Sequence, residues 1–87
     1  MFECQQVVLS LAGRDEGQLL AVVREDEHGV WLADGKRRPL ERPKQKNPRH
    51  LRPLDIELGR EAMTTNRALR RALRAVTERD AQATAGR

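Results

Sequence analysis

The chain has no tyrosine, one tryptophan and one phenylalanine, so aromatic residues make up only 2% of its 87 positions. This scarcity argues against the aromatic platforms on which many single-strand binders stack unpaired bases. A lone cysteine, Cys4, excludes an intramolecular disulfide and gives no sign of an oxidising compartment, so a cytoplasmic setting is expected. Cys4, His28 and His50 lack the paired spacing of a zinc site, and neither a GxxxxGK[ST] nor a GxGxxG phosphate loop is present; no metal and no cofactor is expected. Both histidines fall in charged loops and Cys4 has no evident base, so no catalytic residues and no enzymatic activity are expected. The longest apolar runs, Val7 to Ala12 and Leu19 to Val23, are far shorter than the roughly 20 residues of a membrane-spanning helix. Neither an anchor nor a signal peptide is expected.

What the chain does have is charge, and its distribution matters more than its total of +4. Residues 1–35 carry two Arg against seven acidic residues, and residues 36–52 carry eight Lys and Arg against one Glu. The sign therefore changes from −5 to +7 at Asp34-Gly35, which points to a polyanionic partner. A single domain of this size buries about 60–65% of its unfolded surface, a marginal stability that suits life in an assembly.

Val7 to Leu11 and Leu19 to Val23 read as two strands joined by a turn between Gly13 and Gly17. Glu25 to Gly29 makes a second loop and Val30 to Ala33 a third strand. Asp34-Gly35 then predicts a tight hairpin, with Lys36 to Leu40 as a fourth strand kept short or at an edge by Pro39. Residues 42–49 read as a basic loop with two prolines, and His50 to Arg52 as a last short strand. Short antiparallel strands at this spacing predict a mainly β fold, a small antiparallel barrel over residues 1–54. Residues 55–64 read as a linker, 65–79 as an amphipathic helix with Thr64, Thr65 and Asn66 as cap candidates, and 80–87 as a frayed tail.

On that helix Leu69, Ala72, Leu73 and Val76 share one face, and Arg67, Arg70, Arg71 and Arg74 the other. The apolar face is expected to pack on the barrel and the arginine face to be solvated, with contact to RNA as its functional alternative. If alternation turns Val30 and Leu32 inward, Trp31 faces outward and would cover the surface on which the helix docks.

Lys36, Arg37, Arg38, Arg42, Lys44, Lys46, Arg49 and Arg52 suit phosphate neutralisation, Arg being able to fork onto two phosphate oxygens. With few aromatics, the reading is folded RNA held through its backbone. In the loop from Gly13 to Gly17, the glycines permit a close backbone approach to a ligand and Arg14 could meet a phosphate. Spacing alone favours an ordinary turn in which Arg14 pairs with Asp15 or Glu16.

Val7-Val8-Leu9-Ser10-Leu11-Ala12-Gly13-Arg14-Asp15-Glu16-Gly17 followed by Leu20-Ala21-Val22-Val23 resembles a KOW motif, the strand-loop-strand element of several ribosomal proteins and transcription elongation factors. Ala33-Asp34-Gly35-Lys36, the basic residues 44–49, His50-Leu51-Arg52-Pro53 and the run from Thr65 to Leu73 extend the resemblance to small bacterial KOW-domain RNA-binding proteins related to a large-subunit ribosomal protein of eukaryotes and archaea. The resemblance covers most of residues 5–76. It implies an SH3-like β-barrel that binds structured RNA, ribosomal RNA above all, with ribosomal proteins as further neighbours. The implied contacts are Gly13, Arg14 and Gly17 in the loop and Lys36, Arg37 and Arg38 beyond the turn. Glu16 stands where a basic residue is common in that family. Two alternatives remain open: a protein-interaction module using Glu25-Asp26-Glu27 or the helix, and a transcription or translation adaptor built on the same motif.

Overall fold

A computed structural model describes the backbone of residues 2–85 and the side chains of residues 2–79. Five strands, β1 (Gln6–Ser10), β2 (Leu19–Asp26), β3 (Gly29–Ala33), β4 (Lys44–Lys46) and β5 (Leu51–Glu57), precede one long helix, α1 (Asn66–Ala85). The strands form one antiparallel sheet in the order β4-β3-β2-β1-β5. The first four make a meander and β5 returns beside β1, so the protein is mainly β with a single C-terminal helix.

The apolar runs in β1 and β2 do not alternate with polar residues because both faces of the sheet are covered. Val7, Ala21 and Ala33 face a core completed by Leu58 and by Leu69, Leu73 and Val76 of α1. Val8, Leu20, Val22, Val30, Leu32 and Leu51 form a second buried cluster, with Phe2 packed against it. Two register shifts, one between Gln6 and Val8 against β5 and one between Val22 and Arg24 against β3, bend the sheet. A flat sheet would place β4 about 14 Å from β1, beyond the reach of a lysine side chain. Lys46 Nζ in β4 nevertheless donates to Ser10 Oγ in β1 at 2.7 Å, so the sheet is strongly curled. No ladder joins β4 to β5 among the described residues.

Several expectations change here. Residues 36–40 do not form the fourth strand. The Asp34 carboxylate accepts from the backbone N–H groups of Lys36 and Arg38, both at 2.8 Å, and the carbonyl of Arg38 closes back onto the N–H groups of Asp34 and Gly35. These bonds wind the segment into a compact loop, and Pro39 could not have donated to a ladder in any case. The edge strand comes instead from the segment read as a basic loop, pairing Val30 with Lys46 and Leu32 with Lys44. Asn47 then caps a short 3-10 turn, Pro48–His50, by accepting from the Arg49 N–H at 2.9 Å. The tight hairpin turn is Glu27-His28, between paired Asp26 and Gly29, and not Asp34-Gly35.

Residues 55–64 are more ordered than a linker. β5 continues to Glu57, and a 3-10 turn covers Arg60–Met63. Leu54, Ile56 and Leu58 pack on the core beneath the helix, a period-two pattern with the spacing of a strand face. Thr65 caps α1, its hydroxyl accepting from the Ala68 N–H at 3.0 Å, and the helix runs past residue 79 to Ala85. Of the tail expected to fray, residues 80–87, the helix takes in the part up to Ala85, and Gly86 and Arg87 lie outside the described residues.

The helix docks on the sheet through Leu69, Leu73 and Val76, and its start is fixed to the loop before it. Asn66 Oδ1 accepts from Leu40 N–H and its Nδ2 donates to Glu41, both at 2.7 Å. Gly35 has φ +80, and a Cβ there would collide with the Asn66 carbonyl oxygen. Trp31 faces outward as expected but does not carry the helix. The Arg24 guanidinium lies 4.6 Å from its ring centroid and its indole N–H donates to Asp26 at 2.8 Å.

Two outcomes follow from this packing. Gly35→Ala combines a left-handed backbone with a backbone collision and should destabilise the fold by at least about 2 kcal/mol in urea unfolding; an effect under 0.5 kcal/mol would mean that loop and helix are not locked together. The His28 backbone N–H and then the Trp31 indole hold the Asp26 carboxyl below its ordinary value of 3.8. Because the folded-state pKa is depressed, the contribution of these bonds is present above pH 3.8 and lost as pH falls through the lowered value. Fluorescence of the sole tryptophan should therefore titrate with a midpoint below 3.8, and Asp26→Asn should abolish that step.

Candidate nucleic-acid interface

The turn between β1 and β2 needs two residues with positive φ, and Gly13 at +80 and Gly17 at +83 supply them. Between them the chain turns Arg14 and Glu16 to solvent and Asp15 inward, where it is 1% exposed. Arg14 has no ion-pair partner among the described residues, so the expected pairing with Asp15 or Glu16 is not made. Asp15 instead meets the basic segment.

Three cations converge on its Oδ2: Arg38 at 3.6 Å, Lys44 at 3.7 Å and Lys46 at 3.9 Å. Lys46 is the most deeply held, its side chain 9% exposed and its ammonium also donating to Ser10 Oγ and the Ala12 carbonyl, each at 2.7 Å. Arg38 and Lys44 keep 29% and 38% of their side-chain surface. None of the three makes a hydrogen bond to Oδ2, and Arg38 Nε is likewise buried without a partner. The attraction is therefore one of charge at short range in a shielded place. One carboxylate against three cations leaves a local excess of positive charge.

The residues singled out in the sequence thus divide into three groups. Gly13, Gly17, Arg38, Lys44 and Lys46 build or surround the Asp15 cluster, so the last three are structural cations as well as candidate contacts. Lys36 points elsewhere, into a groove of about 610 Å³ that it lines with Arg67, Arg70, Arg71 and Arg74 of α1. Arg14, Arg37, Arg42, Arg49 and Arg52 are exposed and make no ion pair among the described residues. The central role of Asp15 has no mark in the sequence. Nothing in Gly13-Arg14-Asp15-Glu16-Gly17 distinguishes the acid that turns in from its neighbour that turns out, and the only available signal was the cluster of lysines and arginines that needed a counter-charge.

Asp15→Asn should cost about 3 kcal/mol in urea unfolding, the low end for breaking a buried ion pair, because Arg38 and Lys44 remain partly solvated. Glu16→Gln, one residue along and exposed, should stay within about 0.5 kcal/mol. Adding Lys46→Met to Asp15→Asn should recover part of the loss, since it removes the most buried of the orphaned charges. Equal effects of Asp15→Asn and Glu16→Gln would show that the cluster does not hold the loop.

No model of a known protein family matches the chain, and no curated protein matches it.

Proposed function

We propose that this protein is a non-catalytic RNA-binding module, an SH3-like KOW barrel that contacts structured RNA through phosphates and associates with the ribosome or its assembly intermediates. The observation that carries the reading is the convergence on Asp15 of cations from the 34–43 loop and β4, beside a glycine-bracketed turn. The resemblance of residues 7–23 to a KOW motif supports it, as does the curl of the sheet around its second core.

The physical division of labour is direct. Asp15 holds Arg38, Lys44 and Lys46 in place, and their unneutralised charge raises the local potential without presenting loose side chains. Arg14 and Arg37, both exposed, supply free guanidinium forks that suit phosphate oxygens. Positive φ at Gly13 and Gly17 brings backbone close to the same surface. Trp31 is already occupied by Arg24 and Asp26, which leaves base stacking a small part and favours recognition by shape.

The test uses the exposed pair, because reversing Arg38 would place a second carboxylate beside Asp15 and unfold the cluster. Binding of the full chain to a structured ribosomal RNA fragment is measured by fluorescence anisotropy from about 50 to 200 mM salt, over which phosphate contacts lose affinity steeply. Arg14→Gln with Arg37→Gln should reduce the slope of log affinity against log salt by about 1.4–1.8. An unchanged slope, or no binding by the unaltered protein at the lowest salt, would overturn the proposal. Partners that survive RNase treatment of a lysate while RNA binding is absent would point to the protein-interaction reading.

A further inference from the structure

The groove between the 34–38 loop and α1 is built in a way that stability alone does not favour. Its lining is Lys36, Arg67, Arg70, Arg71 and Arg74, with no acidic side chain. On α1, Arg67 and Arg71, and Arg70 and Arg74, stand at i,i+4, a spacing at which like charges repel. Arg67 also lies in the first turn, which contains no acidic residue, although the helix dipole favours anions there and disfavours cations. Among the described residues only Arg74 has a counter-charge, Glu78 at 3.4 Å, and both are exposed. The like-charge spacings and the cation in the first turn both run against the helix, and such departures from local consistency are expected at functional sites.

The groove is also framed by a loop docked on the helix. The Asp34 carboxylate fixes the backbone on either side of Arg37 by accepting from Lys36 and Arg38. Gly35 packs against the Asn66 carbonyl, and Asn66 bridges to Leu40 and Glu41. Lys36 is therefore presented to the arginine face by a docked loop rather than by a mobile one. On the other side of the helix, Leu69 and Leu73 are buried in the core, so the arginine face has one orientation.

We propose that this groove is a second phosphate-binding surface, which takes a continuous stretch of RNA sugar-phosphate backbone. The inference rests on the RNA-binding reading above and adds to it a site on the helix. Arg67 to Arg74 spans about 10 Å of helix axis at 1.5 Å per residue, long enough to meet more than one phosphate of a single strand. Arginine forks fit phosphate oxygens, and the lining carries five cations and no acid, which suits a run of phosphates. The sugar-phosphate backbone is the part of an RNA that carries a matching charge at every step.

The experiment compares the full chain with Arg67→Gln/Arg71→Gln, which leaves the Arg74–Glu78 pair intact and keeps good helix formers on an exposed face. Binding to the structured RNA fragment should weaken about 10- to 100-fold at constant salt, with the salt slope reduced by about 1.4–1.8. Arg67→Lys/Arg71→Lys should restore the slope, because charge is kept while the fork is lost. Circular dichroism should show the same helix content in all three proteins. If the unaltered chain binds RNA and the Gln pair binds with the same affinity and slope, the groove proposal fails and the RNA-binding reading stands. If the unaltered chain binds no RNA, both fail. Unchanged RNA binding together with loss of an RNase-resistant partner would assign the groove to an acidic protein and overturn the proposal.

Discussion

The buried carboxylate of Asp15 is the interaction on which the arrangement of this protein's basic surface depends. A chain of 87 residues carrying 17 Lys and Arg must keep its cations apart or give them a counter-charge. Here three of them are gathered at 3.6–3.9 Å from a single oxygen. They come from two separate local structures: Arg38 from a loop, Lys44 and Lys46 from the edge strand β4. The same carboxylate fixes the β1–β2 turn, so turn, loop and strand form one electrostatic unit. Desolvating an acid is costly, and the compensation comes from a charge excess that no single ion pair would supply.

That unit is possible only because the sheet curls. β4 reaches β1 through the bond from Lys46 to Ser10, and the two register shifts supply the bending that brings them together. Curling also separates the two cores. The inner one is purely aliphatic apart from Phe2, and the outer one needs the helix and the strand-like run to Leu58 to cover it. The helix is therefore a structural member of the domain. Its apolar stripe is committed to the sheet, which leaves the arginine stripe facing away from it.

Much of this was legible in the residues. The runs Val7 to Leu11, Leu19 to Val23 and Val30 to Ala33 mark β1, β2 and β3, and the Thr65 cap with the Leu69, Leu73, Val76 stripe marks α1, because local propensity and tertiary burial agree there. The basic stretch was harder. Asp34-Gly35 carries the usual chemistry of a two-residue hairpin turn, yet the Asp34 side chain captures two backbone N–H groups and builds a loop instead. Lys44 and Lys46 carry no hydrophobic signal at all. They form a strand because β3 offers an unpaired edge and Asp15 offers a charge, and both are tertiary facts. Leu54, Ile56 and Leu58 did carry a period of two, but Pro53 and the intervening charges obscured it.

The candidate site shows the same division. Charge density is visible in sequence and its neutralisation is not, so counting cations overstates how many are free to meet a partner. Lys46, with 9% of its side chain exposed, can supply field more than contact, whereas Arg14 and Arg37 are exposed and open to a partner. The four helix arginines are the converse case. Their stripe is evident from periodicity, but a solvated stripe and a binding stripe have the same pattern. What separates the two is the docked loop that brings Lys36 against them and the lack of acids along the groove. A purely solvated helix gains from mixed charges at i,i+4, and of the four arginines within these eight residues only Arg74 makes such a pair, with Glu78, among the described residues. The unfavourable local charge arrangement, set beside a docked loop, is thus the observation on which the proposed phosphate site rests.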